Sequence, residues 1–522
     1  MFCIERNGSP PLPTVSILLG LVLGVLVFGA TSLADDFPVP HLAEITSGGI
    51  SGSLVICGGG TLPEAVIKRF VELAGGEQGR LVFISTAADN PDALDSTEIE
   101  TDWHERGIPH VEVLHTTDRN QANTEDFVAP LKTATAVWFR GGQQSRLADA
   151  YVGTRVEREL AELLKRGGVI GGTSAGAAIQ SRLMIAFGNP EATVMQGLDL
   201  LPGAVIDQHF RQRDRQQRLA TVLNDHPGHF GIGVDEGTAA IVQGRSIKIL
   251  GDAMATICLA KSEKRPAKTY ELKSGERADL TALRKAAIIR AGEMFPPSKY
   301  PEPNVPEGSL LIVGGGRLTP GVWKEFVNLA GGEGAKIVIV PTASERPSRG
   351  NEYTIKALKE AGAGEVTVLH TVDRTEADRT EFAEPLRTAT GVWFGGGRQW
   401  RIVDAYAGTK TYDAFHEVLK RGGVIGGSSA GATIQGDYLA RGNPLGNQDI
   451  SAEGYEQGFA FLPGVAIDQH FTQRKRLPDL QGLIQDIPQL LGIGIDESTA
   501  LVVQGNTARV LGENDVSFIH HS

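Results

Sequence analysis

The chain has 522 residues, 41% of them hydrophobic and 21% charged, an ordinary globular balance with ample material for two full cores. Its net charge of −12 argues against a nucleic-acid partner, because gripping a phosphate backbone needs a basic face and no basic run occurs.

Residues 1–34 read as a secretory signal. Arg6 precedes an uncharged apolar run over 15–30, and Ser32 to Ala34 offers the small residues that a signal peptidase requires. Export to a periplasmic or extracellular compartment is the expectation. The competing reading is an uncleaved N-terminal anchor, since the run with its flanks approaches a spanning length, and only then would the chain meet a membrane. Cys3 would leave with the signal, while Cys57 and Cys258, both in apolar strand-like runs, read as buried structural thiols.

From residue 53 onward, short β-branched runs alternate with amphipathic stretches. "SLVIC" leads into the helical "PEAVIKRFVELAG", then come "RLVFIS", a helix through "STEIETDWHERG", "VEVLH", "ATAVWF" and a long helical run before "GVIGG". This alternation predicts an α/β fold in which a mostly parallel sheet is covered by helices on both faces, with ligands gathering beyond the carboxyl ends of the strands. The series then returns. "LVICGGG" at 54 recurs as "LLIVGGG" at 310, "FVELAGGE" at 70 as "FVNLAGGE" at 326, and "LKRGGVIGG" recurs letter for letter. Two tandem three-layer domains are expected, 35–294 and 309–522. The proline-dense "FPPSKYPEPNVPEG" over 295–308 reads as an extended, solvated connector. Just before it, "LTALRKAAIIRA" is an appended helix or strand with no equivalent after the second copy.

Chemistry-bearing residues repeat with the scaffold. "GGTSAGAAI" at 171 returns as "GGSSAGATI" at 426. A serine between glycines at a strand-to-helix turn sits on a sharp bend, its hydroxyl outward and the next amide aimed at a developing oxyanion. Ser174 and Ser429 fit this description, and the plain alternative is a helix N-cap beside a tight turn. A serine nucleophile needs a base, and the base an orienting carboxylate. "AVIDQHF" and "VAIDQHF" supply His209 and His470, and "GIGVDEGTA" and "GIGIDESTA" supply Glu236 and Glu497, 27 residues further on in each copy. Asp235 and Asp496 compete as orienters, and strand alternation lets only one of each pair face the ring. The serine-to-histidine interval grows from 35 to 41 residues, so a loop changed length between them.

Other repeated polar groups have two readings each. His115 and His370, closing "VLH", read as structural. Gln144 and Gln399 follow glycine pairs that bring backbone amides close to a substrate. Arg213 with Arg215, and Arg474 with Arg476, lie just past the histidines, where a planar fork suits a substrate carboxylate; solvated arginines on a surface helix are the alternative. The "GGG" at 58 and at 314 lacks the G-K-[ST] of a phosphate loop and reads as a tight turn near the catalytic edge. No metal cluster is apparent, and neither metal nor cofactor is expected.

Taken in order, "LVICGGG", "FRGGQQ", "GGTSAGAA", "DQHFRQRDRQQRL" and "GIGVDEGTA" resemble the cyanophycinase family of serine peptidases, relatives of aspartyl dipeptidase with a class I glutamine-amidotransferase-like fold, over nearly all of both copies. The resemblance implies Ser174, His209 and Glu236 as nucleophile, base and orienter, with Ser429, His470 and Glu497 in the second copy. It implies substrate-binding roles for Gln144, Asp207, Gln208, Arg213 and Arg215, and for Gln399, Asp468, Gln469, Arg474 and Arg476. Gly142 and Ala175, with Gly397 and Ala430, would supply the oxyanion amides. The implied partner is a peptide or polymer substrate. The family cleaves cyanophycin, a polyaspartate whose side chains bear arginine, and releases β-aspartyl-arginine. Relatives are dimeric, which makes an internal pseudo-dimer of the two copies a further expectation.

The second copy departs from this pattern. "RLPDL" replaces "RQQRL", losing the arginine at the position of Arg218 and gaining Pro478, and "ARGNPLGNQDISAEGYEQG" carries an insertion near the expected pocket. Both bear on its substrate preference. Two alternatives stand beside the first reading: the same fold acting on other aspartyl or isopeptide substrates, and a binding module with one or both sites inactive.

Overall fold

The computed structural model describes residues 45–292 and 295–521, so the expected signal segment lies outside the described residues. In the first copy the β-branched runs form β1 (Ile50–Cys57), β2 (Arg80–Ile84), β3 (His110–Leu114), β4 (Ala136–Phe139), β5 (Val169–Thr173), β6 (Leu183–Phe187), β7 (Thr193–Gln196), β8 (Ala204–Gln208), β9 (Phe230–Val234), β10 (Thr238–Gly244), β11 (Ser246–Gly251), β12 (Met254–Leu259), β13 (Lys268–Lys273) and β14 (Arg277–Asp279). Eight of them make one sheet in the order β14-β11-β10-β1-β5-β4-β2-β3. It is parallel from β1 through β3 and antiparallel on the other side of β1. A second sheet, β13-β12-β9-β8, stands beside it, and β6 and β7 form a hairpin.

Alternation along β1 decides what covers the sheet. Val55 and Cys57 face a cluster with Phe70 and Val66 of α1 (Glu64–Ala74) and Trp103 of α2 (Ser96–Glu105). Leu54 and Ile56 face the opposite cluster, with Leu131 of α3 (Glu125–Thr133) and, after α4 (Gln144–Tyr151), Leu160 and Leu163 of α5 (Arg155–Lys165). The period of two in the strand and of 3.6 in the helices thus gives the expected three layers. Cys57 and Cys258 are buried free thiols, and burial pushes both thiol pKa values up. Three further helices complete the first copy: α6 (Ala175–Ala178), α7 (Gln216–Asp225) and α8 (Leu280–Ala291).

The second copy repeats this plan. Its larger sheet has seven strands, with Val305–Val313 central and paired in parallel with Val424–Ser428; its smaller sheet holds Leu462–Gln469 in parallel with Leu491–Ile495. The connector differs from expectation. Phe295 stacks on Tyr438 at 6.2 Å, Tyr300 is buried in the same cluster, and Gln489 donates to the Pro297 carbonyl. The prolines extend this segment, but its aromatic side chains lay it against the second copy instead of leaving it in solvent.

The appended stretch is a helix, α8, and it packs against the insertion of the second copy. A Cβ at Gly454 would lie 2.5 Å from the Ala282 carbonyl, so this approach admits only glycine there. Arg290 pairs with Glu453 at 2.9 Å, and Arg265 with Glu456 at 2.7 Å. Arg245 bonds Asp404 at 2.8 Å, Asp279 at 2.6 Å and the Tyr455 hydroxyl at 2.8 Å, with Trp400 beneath its guanidinium and Lys285 completing the cluster on Asp404. These contacts are not reciprocal. Asp149 and Asn506, the counterparts of Asp404 and Arg245, are both exposed, so the copies meet through unlike faces and not through the shared patch of a two-fold dimer.

Candidate active site

Three segments meet where β1 ends. The Cys57 carbonyl accepts from the Ser174 amide, the Gly58 carbonyl from the His209 amide, and the Gly59 carbonyl from the Gly237 amide. The same three bonds recur in the second copy, from Val313, Gly314 and Gly315 to Ser429, His470 and Ser498. The glycine triplet is therefore a clip that sets the spacing of the segments carrying serine, histidine and glutamate. A Cβ at Gly59 would stand 2.2 Å from Cε1 of His209, and one at Gly315 would stand 2.3 Å from that of His470. Only glycine lets the imidazole lie on the turn, and the φ of +103° at Gly59 adds a second reason.

The side chains converge on this clip. The Ser174 hydroxyl is 2.8 Å from Nε2 of His209, whose Nδ1 is 2.5 Å from Oε1 of Glu236. In the second copy the distances are 3.0 Å from Ser429 to His470 and 2.5 Å from His470 to Glu497. A carboxylate can only accept, so Nδ1 carries the proton and Nε2 is left to accept from the hydroxyl. Of the competing orienters, Asp235 turns the other way and accepts from the Arg211 amide, as Asp496 does from Thr472.

Backbone strain marks both ends of the contact. Ser174 has φ 53° and ψ −110°, Ser429 has φ 56° and ψ −112°, and His209 and His470 have φ of 47° and 50°. Each such left-handed non-glycine residue costs on the order of 1–3 kcal/mol, and the bonds to the clip hold it there. Each serine stands at the N-cap of a short helix, so the Ala175 and Ala430 amides begin a first turn and have no intrahelical acceptor. Gly142 and Gly397, in the turns after β4 and after Gly391–Phe394, are exposed, and a Cβ at Gly142 would fall 1.9 Å from the Ala87 carbonyl.

Burial lowers the pKa of both histidines below that of an ordinary imidazole. The bond to glutamate opposes this in part, while Arg213 with Arg215, and Arg474 with Arg476, add to it.

Several residues expected to touch substrate are occupied elsewhere. Asp207 and Asp468 are fully buried, and each holds guanidinium groups. Gln208 and Gln469 are buried as well, and Arg215 donates to both the carbonyl and the side chain of Gln208. Arg476 is buried on Asp468 and the Gln469 carbonyl. Gln144 spends its amide on the Ile185 carbonyl in β6, and Gln399 on those of Ala440 and Arg441, which ties each to the segment after its serine helix. These side chains tie together the segments around the serines and histidines. Arg213 and Arg474 remain exposed, in a turn between strand and helix and not on a surface helix. His115 and His370 bond the hydroxyls of Thr86 and Thr342 at 2.9 Å, away from the serines.

Other groups escaped sequence reasoning. Gln212 and Gln473 accept from the backbone amides of Glu236 and Glu497, both at 3.0 Å, and so fix the orienting carboxylates. Their signal was present as the glutamine three places after each histidine. Arg441, which holds Asp468, is the other omission, and Arg218, noted in the sequence for its loss from the second copy, holds Asp207. Among the described residues there is no cluster of three or more metal-ligating side chains, and no helix is long and apolar enough to cross a membrane.

Comparison with known proteins assigns the family. The model of peptidase family S51 matches residues 54–250 and again 310–511. The chain is 33% identical over 201 residues to the cyanophycinase of Geminocystis herdmanii, covering 37% of this chain and 74% of that one. It is 34% identical over 197 residues to the cyanophycinase of Synechococcus elongatus, covering 37% of this chain and 61% of that one. Among solved structures, a peptidase from an acI-B1 actinobacterium is 25% identical with a TM-score of 0.36, covering 44% of this chain and 98% of that one. With the family model matched along both copies, this chain belongs to peptidase family S51 and is a serine peptidase.

Proposed function

We propose that the chain is an exopeptidase of the cyanophycinase kind, which hydrolyses cyanophycin or related aspartyl-linked peptides to β-aspartyl-arginine dipeptides through an acyl-enzyme. The observation that carries the reading is the unbroken hydrogen-bond series from hydroxyl to imidazole to carboxylate in both copies.

In each copy the serine oxygen attacks the carbonyl carbon beside a β-linked aspartyl residue, and its proton passes to Nε2 of the histidine. Glu236 or Glu497 stabilises the imidazolium and keeps the ring in register. The Ala175 or Ala430 amide, with that of Gly142 or Gly397, receives the oxyanion. The imidazolium protonates the leaving amine, and water, deprotonated by the same ring, releases the serine ester. Arg213 and Arg474, exposed beside the histidines, are placed to pair with a substrate carboxylate. Export through the segment 1–34 belongs to the same reading and would bring the enzyme to polymer outside the cytoplasm.

The second copy favours a separate substrate preference, because the stretch after its serine helix carries an insertion and its helix has Asp479 where the first copy has Arg218. The deciding experiment incubates the purified protein with cyanophycin and with α- and β-aspartyl dipeptides and identifies products by mass. Ser174→Ala with Ser429→Ala abolishes turnover, and each single change leaves part of it. Turnover by the double variant would refute the nucleophile assignment, and no turnover of any substrate by the unmodified chain would favour a binding module.

A further inference from the structure

A buried arginine of the first copy is replaced by an exposed aspartate in the second. In the first, Asp207 precedes His209 by two residues and receives a fork from Arg218 of α7, Nε to Oδ2 at 2.8 Å and Nη2 to Oδ1 at 2.5 Å. Nine residues past the histidine of the second copy, where Arg218 would stand, the helix Leu477–Asp486 carries Asp479. With nothing else altered, that carboxylate would face Asp468 with no fork between them.

The inserted stretch supplies the missing cation. Arg441, wholly buried, places Nε 3.0 and 3.2 Å from the two oxygens of Asp468 and Nη2 2.9 Å from one of them. The same Nη2 donates to Asp479 at 2.8 Å, and Nη1 donates to the carbonyls of Asn447 and Gln448. Arg441 has a φ of +58°, a backbone state unfavourable to arginine that this set of bonds maintains. Gln399 grips the carbonyls of Ala440 and Arg441, and Arg398 those of Asn443 and Gly446, so the loop base is pinned to the turn that contains Gly397.

We propose that Arg441 is the positioning residue of the second site, replacing from the inserted loop the fork that the first site takes from α7. It acts through Asp468 on the strand end that presents His470 to Ser429. Without it, the fully buried Asp468 would keep Arg476 and the Gln469 amide but lose its fork, and a buried carboxylate deprived of its fork does not hold its place. The inference rests on Ser429 and His470 acting as nucleophile and base.

The test follows both serines in one molecule with a fluorophosphonate, which esterifies an activated serine hydroxyl, reading the labelling rate of each active-site peptide by mass spectrometry. Arg441→Ala slows labelling of Ser429 by about tenfold or more, while Ser174 serves as the internal reference and changes by less than about twofold. Adding Asp479→Arg puts the cation where Arg218 stands and restores Ser429 to within about threefold of the unmodified chain. Arg441→Lys recovers only part, because one ammonium cannot make the fork. An undiminished Ser429 rate in Arg441→Ala overturns the inference. So does a folded Arg441→Ala, Asp479→Arg variant that still labels slowly, a comparison that decides the matter even where Arg441→Ala alone does not fold. Ser174 labelling without Ser429 labelling in the unmodified chain also overturns it, whereas no labelling of either serine refutes the nucleophile reading itself.

Discussion

His209 and His470 are neutral bases kept neutral by their surroundings. Burial and the adjacent arginines both disfavour the imidazolium, so the rings stay unprotonated at pH values more acidic than a free imidazole allows. The base must be unprotonated to accept the serine proton, hence kcat/KM falls as pH drops through the histidine pKa. The midpoint of that acid limb is expected below the usual value of about 6.5, and a pH-rate profile with its midpoint at or above that value would contradict the assignment. Arg213→Gln in the Ser429→Ala background removes one depressing charge and moves the limb upward. The residues of this series were legible because duplication separated them from chance: the same serine, histidine and glutamate survive where loops between them changed length. The partners of Asp207, Gln208, Gln144 and their counterparts were not, since a polar side chain that grips a neighbouring guanidinium or carbonyl reads in sequence like one that waits for a ligand.

At the scale of elements, the glycine triplet after β1 does more than turn the chain. The Cys57, Gly58 and Gly59 carbonyls receive the amides of the segments bearing each member of the series, so strand spacing in the central sheet becomes the spacing of the reacting groups. Gly59→Ala drives a methyl group into the His209 ring and also meets an unfavourable φ. Displacing a reacting group by about 1 Å costs about a hundredfold, and the expected loss in kcat/KM at the first site is at least that, measured in the Ser429→Ala background. Gly59→Ala in the Ser174→Ala background leaves the second site at its own rate. The main strands and helices were readable from their periods of 2 and 3.6. The connector was misread because proline content reports the backbone, whereas Phe295 and Tyr300 decide where it lies.

Across the whole molecule, a helix of the first copy is the partner of a loop of the second. The helix α8 of the first copy packs on the insertion of the second, and a group of Arg245, Lys285, Asp279, Asp404 and Tyr455 closes the seam. Asp404→Ala strips the carboxylate shared by two cations and is expected to lower stability by about 3–5 kcal/mol, read from urea unfolding; a change under about 1 kcal/mol would show that solvent reaches the cluster. Both segments were visible in sequence as leftovers of the duplication, but pairing across unlike faces has no periodic signature to read.

That pairing makes the two halves complementary and not interchangeable. A chain built from two copies of the first half would carry the cations of α8 with no acidic loop to receive them, and one built from two second halves would expose Glu453 and Glu456 with no arginines opposite. Exchanging one half for a second copy of its sibling therefore keeps the two cores and loses the ion pairs of the seam.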